Sequence, residues 1–248
     1  MAFRAIALLV ALALTIESVV AWAPLEEWAA LKGLTTTQRS QRVTLRTDDG
    51  LNIAATFYEP AQRPAPAVVL VHMLTGSRRD WEAMATRLAS EGIGALTIDL
   101  RGHGESPGGA GDLTGMVNDV KAARRHLASR PDVNHSRIGI AGASIGANLA
   151  VLAAADDPTV TSLALLSPTL DYRGLRIEAA LRKYGKRSAL LVAGQDDGYA
   201  MRSVKDLAKT GGVREVLLLD GAGHGMNMFA HAAELGSQLV GWFVRTLQ

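Results

Sequence analysis

Short continuous apolar segments alternate with amphipathic segments along most of this chain. The apolar segments are rich in Val, Leu, Ile and Ala, which is typical of strands buried on both faces. The segments between them carry apolar residues at helical spacing, as at Trp81, Met84 and Leu88. This alternation predicts a mainly parallel sheet with helices on both faces. The predicted strands are 67–71, 95–98, 137–141, 162–166, 188–193 and 214–219, and the predicted helices are 80–90, 116–129, 145–155, 200–209 and 230–247.

An antiparallel hairpin precedes the alternating region. Residues 42–46 and 51–58 alternate apolar and polar side chains, and Asp48-Asp49-Gly50 marks a turn between them. The fold class is therefore α/β, a twisted sheet of about eight strands. In such sheets ligands bind beyond the carboxyl ends of the strands, so we expect the functional residues in the loops that follow the strands.

The composition excludes several classes of site. The 248 residues include no cysteine, which rules out disulfides, zinc–thiolate sites, a thiol nucleophile and a lipoprotein anchor. The net charge is only +2 and the basic residues are scattered, so no nucleic-acid surface is expected. No cluster of His, Asp and Glu has the spacing of metal ligands, and we predict neither a metal nor a cofactor.

The first residues have the pattern of a secretory signal peptide. Arg4 supplies a positive charge, residues 5–16 are apolar, and small residues follow at Ala21 and Ala23. The apolar run is shorter than the roughly 20 residues of a membrane-spanning helix. We expect cleavage after Ala21 and a secreted or periplasmic protein, with an uncleaved N-terminal membrane anchor as the alternative. The predicted organisation is a signal peptide in 1–23, a linker in 24–41 and one domain in 42–248.

One strand ends in a pattern that suggests a nucleophile. Gly142-Ala143-Ser144-Ile145-Gly146 follows the apolar segment 137–141 and precedes an alanine-rich helical segment. A sharp strand-to-helix turn lifts the serine hydroxyl above the sheet, and side chains two positions before and after it would clash, hence the glycines. The pentapeptide alone is equally compatible with an ordinary strand–turn–helix.

The later strand ends supply the partners that such a serine needs. Gly194-Gln195-Asp196-Asp197 follows one strand and Gly223-His224-Gly225 follows the last strand. Serine, aspartate and histidine in this chain order, each at the carboxyl end of a strand, form the order of a Ser-Asp-His triad in this fold class.

These residues resemble an α/β-hydrolase, over the chain from about Val43 to the last helix. The segment 99–106, Asp-Leu-Arg-Gly-His-Gly-Glu-Ser, resembles the loop after the fourth strand of that superfamily, and 223–225 resembles its histidine loop. The connection 168–187 has room for one small helix, so the chain is most similar to lid-poor members, the dienelactone-hydrolase-like and serine-aminopeptidase-like esterases. Dienelactone hydrolases use a cysteine where this chain has Ser144, so their substrate does not carry over.

The resemblance and the chemistry together imply roles for three residues. Ser144 is the expected nucleophile, His224 the general base and then acid, and Asp197 the carboxylate that orients the imidazole. Asp196 is the alternative acid, with the unused aspartate expected in a turn or a cap.

An oxyanion hole needs two backbone donors. We predict the N–H groups of Ile145 and Leu74, the second by its position in the family's His-Gly-x loop. This chain has Met73 in place of that glycine, so Met73 is the alternative donor. His72 and His103 are expected to brace loops, and His126 and His135 to face solvent.

The predicted function is hydrolysis of carboxylic esters, or thioesters, of small molecules. An aminopeptidase or amidase with the same triad is the alternative within this chemistry. A catalytically silent binding protein of the same fold is another alternative. Dinucleotide binding by the glycines of 139–146 is disfavoured, because no acidic residue ends the next strand. The expected partner is a small-molecule ester, and the oligomeric state is left open.

Overall fold

The computed structural model describes residues 39–247. Its strands are β1 (Ser40–Arg46), β2 (Asn52–Tyr58), β3 (Ala65–Val71), β4 (Gly94–Ile98), β5 (Val133–Ala143), β6 (Val160–Leu166), β7 (Asp171–Tyr172), β8 (Leu175–Arg176), β9 (Ser188–Gly194) and β10 (Arg214–Leu219). Eight of these strands form one sheet in the order β1-β2-β4-β3-β5-β6-β9-β10. Strands β1 and β2 form the predicted antiparallel hairpin, and β2 is also antiparallel to β4. All other neighbours in this sheet are parallel. The predicted fold class is confirmed.

The α-helices are α1 (Glu82–Ser90), α2 (Leu113–Ser129), α3 (Ile145–Ala154), α4 (Glu178–Tyr184), α5 (Gly198–Leu207), α6 (Met228–His231) and α7 (Leu235–Leu247). Short 3-10 helices cover Arg78–Trp81, Ala208–Thr210 and Gly225–Asn227.

The helices cover the sheet on both faces and create two hydrophobic cores. One core contains buried side chains of α2, α3 and α5 against the sheet, and the other contains those of α1 and α7. Residues of β3, β5, β6 and β9 alternate between the two cores, which explains why 67–71, 138–143, 163–166 and 189–193 contain no polar side chain. The loops at the carboxyl ends of these parallel strands meet at one edge of the sheet.

A buried arginine joins three parts of the chain near the hairpin. The Arg101 side chain is 2% exposed and donates to Asp119 of α2, to Asp112 at the start of α2 and to Asp49 in the β1–β2 turn. Three carboxylates therefore compensate one buried guanidinium, which is the condition under which a buried charge is tolerated.

The prediction of one continuous helix over 230–247 is wrong, because the segment forms two helices. Ala232 has φ −123° and ψ 88°, which ends α6, and α7 begins at Leu235. The residues at the break favour a helix, so tertiary packing overrides local propensity. Met228 of α6 is buried, whereas α7 runs along β6, where the Trp242 indole donates to the Leu163 carbonyl.

Two other differences concern the connection 168–187 and His126. The connection holds the predicted small helix, α4, together with the two-stranded β7–β8 ladder. The prediction that His126 faces solvent is wrong, because its Nε2 is buried and has no hydrogen-bond partner within residues 39–247. Burial lowers the pKa of His126 below its usual value. His135 is exposed as predicted.

The N-terminal predictions fall mostly outside the described residues. The signal peptide in 1–23 and nearly all of the linker in 24–41 lie there, while β1 begins at Ser40, two residues before the predicted domain boundary. Within residues 39–247, none of the helices combines the length and apolar character needed to span a membrane.

Candidate active site

Ser144 lies in a strained turn between β5 and α3. Its φ is +54° and its ψ is −120°, a conformation that costs a non-glycine residue about 1–3 kcal/mol. The two flanking glycines are required by close backbone contacts. A Cβ on Gly142 would lie 2.2 Å from the Gly146 carbonyl oxygen, and one on Gly146 would lie 2.5 Å from the Val71 carbonyl oxygen. The turn is therefore an elbow and not an ordinary strand–turn–helix.

His224 contacts both of the other predicted triad residues. Its Nε2 is 2.8 Å from Ser144 Oγ, and its Nδ1 is 2.5 Å from Asp197 Oδ2. The three residues come from the loops after β5, β9 and β10. The His224 side chain is 40% exposed, so solvent and small molecules can reach the Ser144–His224 pair.

Asp197 and Asp196 have different partners. Asp197 Oδ2 contacts His224, and its Oδ1 accepts the Ala200 N–H at 3.1 Å as the N-cap of α5. Both carboxylate oxygens of Asp196 accept the Gly223 N–H, each at 3.1 Å. Asp197 therefore combines the orienting and capping positions, while Asp196 fastens the loop that precedes His224.

One predicted oxyanion donor, Ile145, directly follows Ser144, and the other lies in the loop after β3. Ile145 is the first residue of α3, and its N–H has no acceptor within the described part of the chain, as expected in the first turn of a helix. The Leu74 and Met73 N–H groups also lack acceptors there. The choice between Leu74 and Met73 stays a prediction.

His72 fixes the peptide that carries the Leu74 N–H. The Leu100 N–H donates to His72 Nε2 at 3.0 Å, so Nδ1 carries the proton and donates to the Met73 carbonyl at 2.7 Å. In a trans peptide the C=O and the next N–H point in opposite directions. The Leu74 N–H is thus held pointing away from His72. Burial lowers the pKa of His72, which favours this neutral form.

A buried ion pair anchors the same loop from its other end. The Asp99 carboxylate accepts the Arg78 N–H at 2.7 Å and also contacts the Arg78 guanidinium. Asp99 is fully buried at the end of β4, and it also accepts the Glu105 N–H at 2.8 Å. The loop after β3 is therefore held at both ends by the segment that follows β4.

Ser167 supports the histidine loop, a role that sequence reasoning missed. It follows β6, is fully buried and has a φ of +48°. Its hydroxyl accepts the Gly225 N–H at 2.9 Å, next to His224. The available signal was its position at the carboxyl end of a strand that lies between the serine strand β5 and the aspartate strand β9.

The remaining candidates have structural contacts. His103 Nδ1 lies 3.0 Å from the Arg101 carbonyl, and its ring packs 5.2 Å from that of His72, which confirms the expected bracing. Across residues 39–247 no group of His, Asp and Glu could hold a metal ion.

Comparisons with known proteins identify the family. The family model described as serine aminopeptidase, S33, matches residues 62–195, which is more than half of the chain. The matched range contains Ser144 and the loop after β3, and it ends before Asp197 and His224.

One curated relative is an uncharacterised protein of Mycobacterium tuberculosis. It is 32% identical over 127 residues, which are 51% of this chain and 44% of that protein. This chain thus aligns with less than half the length of that relative.

Two solved structures illustrate the similarity in fold. The α/β hydrolase GrgF from Penicillium sp. sh18 has a TM-score of 0.75 and 16% identity, with 84% of this chain and 99% of that chain covered. The dienelactone hydrolase from Anabaena variabilis has a TM-score of 0.72 and 20% identity, with 85% and 99% covered. The eight-stranded sheet, the elbow and the family match agree: the chain belongs to the serine aminopeptidase, S33, family of α/β hydrolases.

Proposed function

We propose that this protein is a serine hydrolase that cleaves carboxylic esters, or thioesters, of small substrates through an acyl-enzyme. The observation that carries the proposal is the unbroken chain of contacts from Ser144 Oγ through both nitrogens of His224 to Asp197. A serine hydroxyl is a weak nucleophile unless a base lies within hydrogen-bond distance and a third group orients that base. Both contacts are present at one edge of the sheet.

Acylation begins with neutral His224, whose Nδ1–H donates to Asp197 Oδ2. Ser144 Oγ attacks the ester carbonyl carbon while its proton passes to His224 Nε2. The Asp197 carboxylate stabilises the resulting imidazolium. The tetrahedral intermediate collapses when the bond to the alkoxy oxygen breaks, and Nε2 gives its proton to the leaving alcohol.

Deacylation repeats these steps with water. A water molecule gives a proton to His224 Nε2 and its oxygen attacks the acyl carbon of the Ser144 ester. The second tetrahedral intermediate releases the carboxylic acid, and Ser144 Oγ takes the proton back from Nε2. The partial exposure of His224 gives water access to this step.

The negative charge on the carbonyl oxygen requires preorganised donors. The Ile145 N–H at the positive end of α3 and the Leu74 N–H are the proposed pair, with Met73 as the alternative to Leu74. Each such donor contributes about 3 kcal/mol of transition-state stabilisation.

The test is covalent labelling of the intact protein. A fluorophosphonate is expected to add one phosphonyl group to Ser144, located by mass spectrometry of the digested protein, and short p-nitrophenyl esters are expected to be hydrolysed. Ser144→Ala should abolish both reactions, while Ser136→Ala, which changes an exposed serine in β5, should retain both. Absence of labelling together with absence of esterase activity would instead indicate a silent binding protein.

An aminopeptidase or amidase is the second candidate, and the family description favours it. The same triad cleaves amides, but the leaving amine must be protonated before it departs, so the barrier is higher. Matched p-nitrophenyl esters and p-nitroanilides with the same acyl groups separate the two activities. A larger kcat/KM on the anilides would replace the esterase assignment.

We further propose that residues 1–23 direct the protein out of the cytoplasm as a signal peptide. The support is the order of a charged, an apolar and a small-residue region in the sequence. Cell fractionation and N-terminal sequencing test this, with Trp22 expected as the first residue of the mature protein. An intact N-terminus in the membrane fraction would favour the uncleaved anchor.

A further inference from the structure

A cavity of about 500 Å³ opens beside the candidate triad, between the loop after β3, helix α1 and the start of α7. The side chains and backbone that line it come from these three regions and from the loop after His224. They are Met73, Thr75, Gly76, Asp80, Met84 and Arg87, together with Ala83, Met226, Asn227, Phe229 and Gly236.

Met73, which lines the cavity, lies close to the candidate nucleophile Ser144. A Cβ placed on Gly225 would lie 3.3 Å from Met73 Sδ and 3.8 Å from Ser144 Cβ. Both atoms are therefore within 4 Å of one point. A substrate bonded to Ser144 Oγ can direct one of its substituents past Met73 into the cavity.

One part of the wall is apolar and adaptable. Met73, Met84 and Met226 supply flexible thioether side chains, which fit alkyl chains of varied shape. Phe229 supplies an aromatic wall that is itself held edge-on by the buried Trp81 ring, with centroids 5.8 Å apart. Such walls favour a methylene chain over a polar group.

Two charged side chains of opposite sign line the cavity at different distances from the loop after β3. Asp80 lies in the 3-10 helix that follows this loop, and Arg87 lies seven residues later in α1, about 11 Å further along the helical segment. The Asp80 carboxylate already accepts the Ser77 N–H in a capping box. The acidic side chain is thus nearer along the chain to the loop that carries Met73, and the basic side chain lies further along α1.

The Arg87 side chain is exposed to solvent where it lines the cavity. Its guanidinium donates to the Ser237 hydroxyl at 2.7 Å, and no carboxylate of residues 39–247 lies within 4 Å of it. Gly236 lets the guanidinium approach α7, because a Cβ there would lie 2.9 Å from Arg87 Nη1. The guanidinium can therefore accept an anionic group of a ligand without breaking an existing ion pair.

We propose that the cavity binds the non-reacting part of an ester substrate that has a methylene chain ending in a carboxylate, with Arg87 as the carboxylate's partner. The inference rests on the proposed esterase function and names the substrate class for the same site. The chain must be long enough to pass Asp80. A short anionic substituent would lie near the Asp80 carboxylate and would be disfavoured.

The experiment compares charged and neutral substrates of increasing length. One series contains p-nitrophenyl monoesters of succinate, suberate and sebacate, whose free carboxylate places the charge on the acyl part. Each monoester is paired with a neutral compound in which this carboxylate is a methyl ester. A second series contains the acetates of matched ω-hydroxy acids and their methyl esters, which places it on the alcohol part. The measured quantity is the ratio of kcat/KM for the charged and neutral members of each pair.

We expect this ratio to rise with chain length in one of the two series. In that series Arg87→Gln should lower the ratio for suberate-length substrates about two- to fivefold, the range of an exposed ion pair. Arg87→Glu should lower it further. Arg79→Gln removes the same charge from an exposed arginine that does not line the cavity and should leave the ratio unchanged.

Three results would overturn the inference. One is a ratio that is independent of Arg87 in both series, the second is an equal loss in Arg79→Gln, and the third is a preference that is strongest for succinate. Fluorophosphonate labelling of Ser144 and hydrolysis of p-nitrophenyl acetate by the unaltered protein are measured in parallel. If these persist while the Arg87 dependence is absent, only the substrate class is wrong, and if both fail, the proposed function itself is wrong.

Discussion

His72 joins two loops through a ring that must be neutral. Its Nε2 accepts the Leu100 N–H, and its Nδ1 donates to the Met73 carbonyl. Protonation of Nε2 would remove the first bond, and burial adds to the cost of the charge, so the pKa of His72 lies below its usual 6.5. The unfolded chain therefore binds this proton at a higher pH than the folded protein does.

The pH dependence of stability follows from this difference. The contribution of His72 is fully present above about pH 6.5 and is lost as the pH falls through the folded-state pKa. We expect His72→Ala to lower the free energy of unfolding by about 2 kcal/mol at pH 7.5, because the Leu100 N–H loses its acceptor. Urea unfolding at pH 7.5 and pH 5 should show a smaller difference between the two proteins at the lower pH. A difference that grows on acidification would contradict this account.

Ser167 provides a second test at the scale of one residue. Ser167→Ala leaves the buried Gly225 N–H without its acceptor, and we expect a loss of about tenfold or more in kcat as His224 loses its fixed position. KM should change less. Ser203→Ala is a matched control, because Ser203 is also fully buried and its hydroxyl accepts the Leu170 N–H away from the histidine loop. Similar kcat values for Ser167→Ala and Ser203→Ala would contradict the proposal that Ser167 positions His224.

Hydrogen bonds between residues that are distant in the sequence cannot be predicted from local sequence patterns. Ser167 and Gly225 are 58 residues apart and His72 and Leu100 are 28 residues apart. Nothing in the sequence near either residue specifies its partner. The elbow around Ser144 was predictable because its glycines are needed by contacts within the turn itself and with the neighbouring strand β3.

At the scale of elements, helix α5 begins at a residue of the candidate triad. Asp197 caps α5 through Oδ1 and contacts His224 through Oδ2. Asp197→Asn keeps an oxygen for the cap but loses the negative charge and the fixed imidazole tautomer. We expect kcat to fall by about 10⁴ while the helix is retained.

Asp196→Asn is the matched variant for this prediction. Asp196 accepts only the Gly223 N–H, an interaction that an asparagine oxygen can also make, so kcat should fall less than about tenfold. Circular dichroism checks that both variants keep their helices. Equal losses, or a larger loss in Asp196→Asn, would transfer the orienting role to Asp196.

Element boundaries show where sequence patterns are informative. The parallel strands were predictable because each contains a continuous apolar segment, and β1 and β2 because apolar and polar side chains alternate on both sides of a turn. The break between α6 and α7 was not, because Ala232 and Glu234 favour a helix and only the packing of the two helices against different parts of the core separates them. The β7–β8 ladder is too short to produce a recognisable alternation.

At the scale of the whole molecule, the order of the strands assembles the candidate site. Ser144 and His224 are 80 residues apart in sequence, yet β5, β6, β9 and β10 are consecutive in the sheet. Parallel strands bring their carboxyl ends to one edge, so the chain order of serine, aspartate and histidine could be interpreted before the structure was known. The cavity beside the triad could not, because it depends on the relative positions of α1 and α7.

The backbone of Ser144 has a consequence for the evolution of stability. Only glycine adopts a φ of +54° and a ψ of −120° without steric cost. Ser144→Gly and Ser144→Ala both remove the proposed nucleophile, and we expect the glycine variant to be more stable than the alanine variant by about 1 kcal/mol.

Chemical denaturation of the two inactive proteins measures this difference directly, and a glycine variant no more stable than the alanine variant would show that the turn carries no strain. If the glycine variant is the more stable one, the serine at position 144 lowers the stability of the fold. Selection for the proposed reaction would then have kept a residue that costs stability.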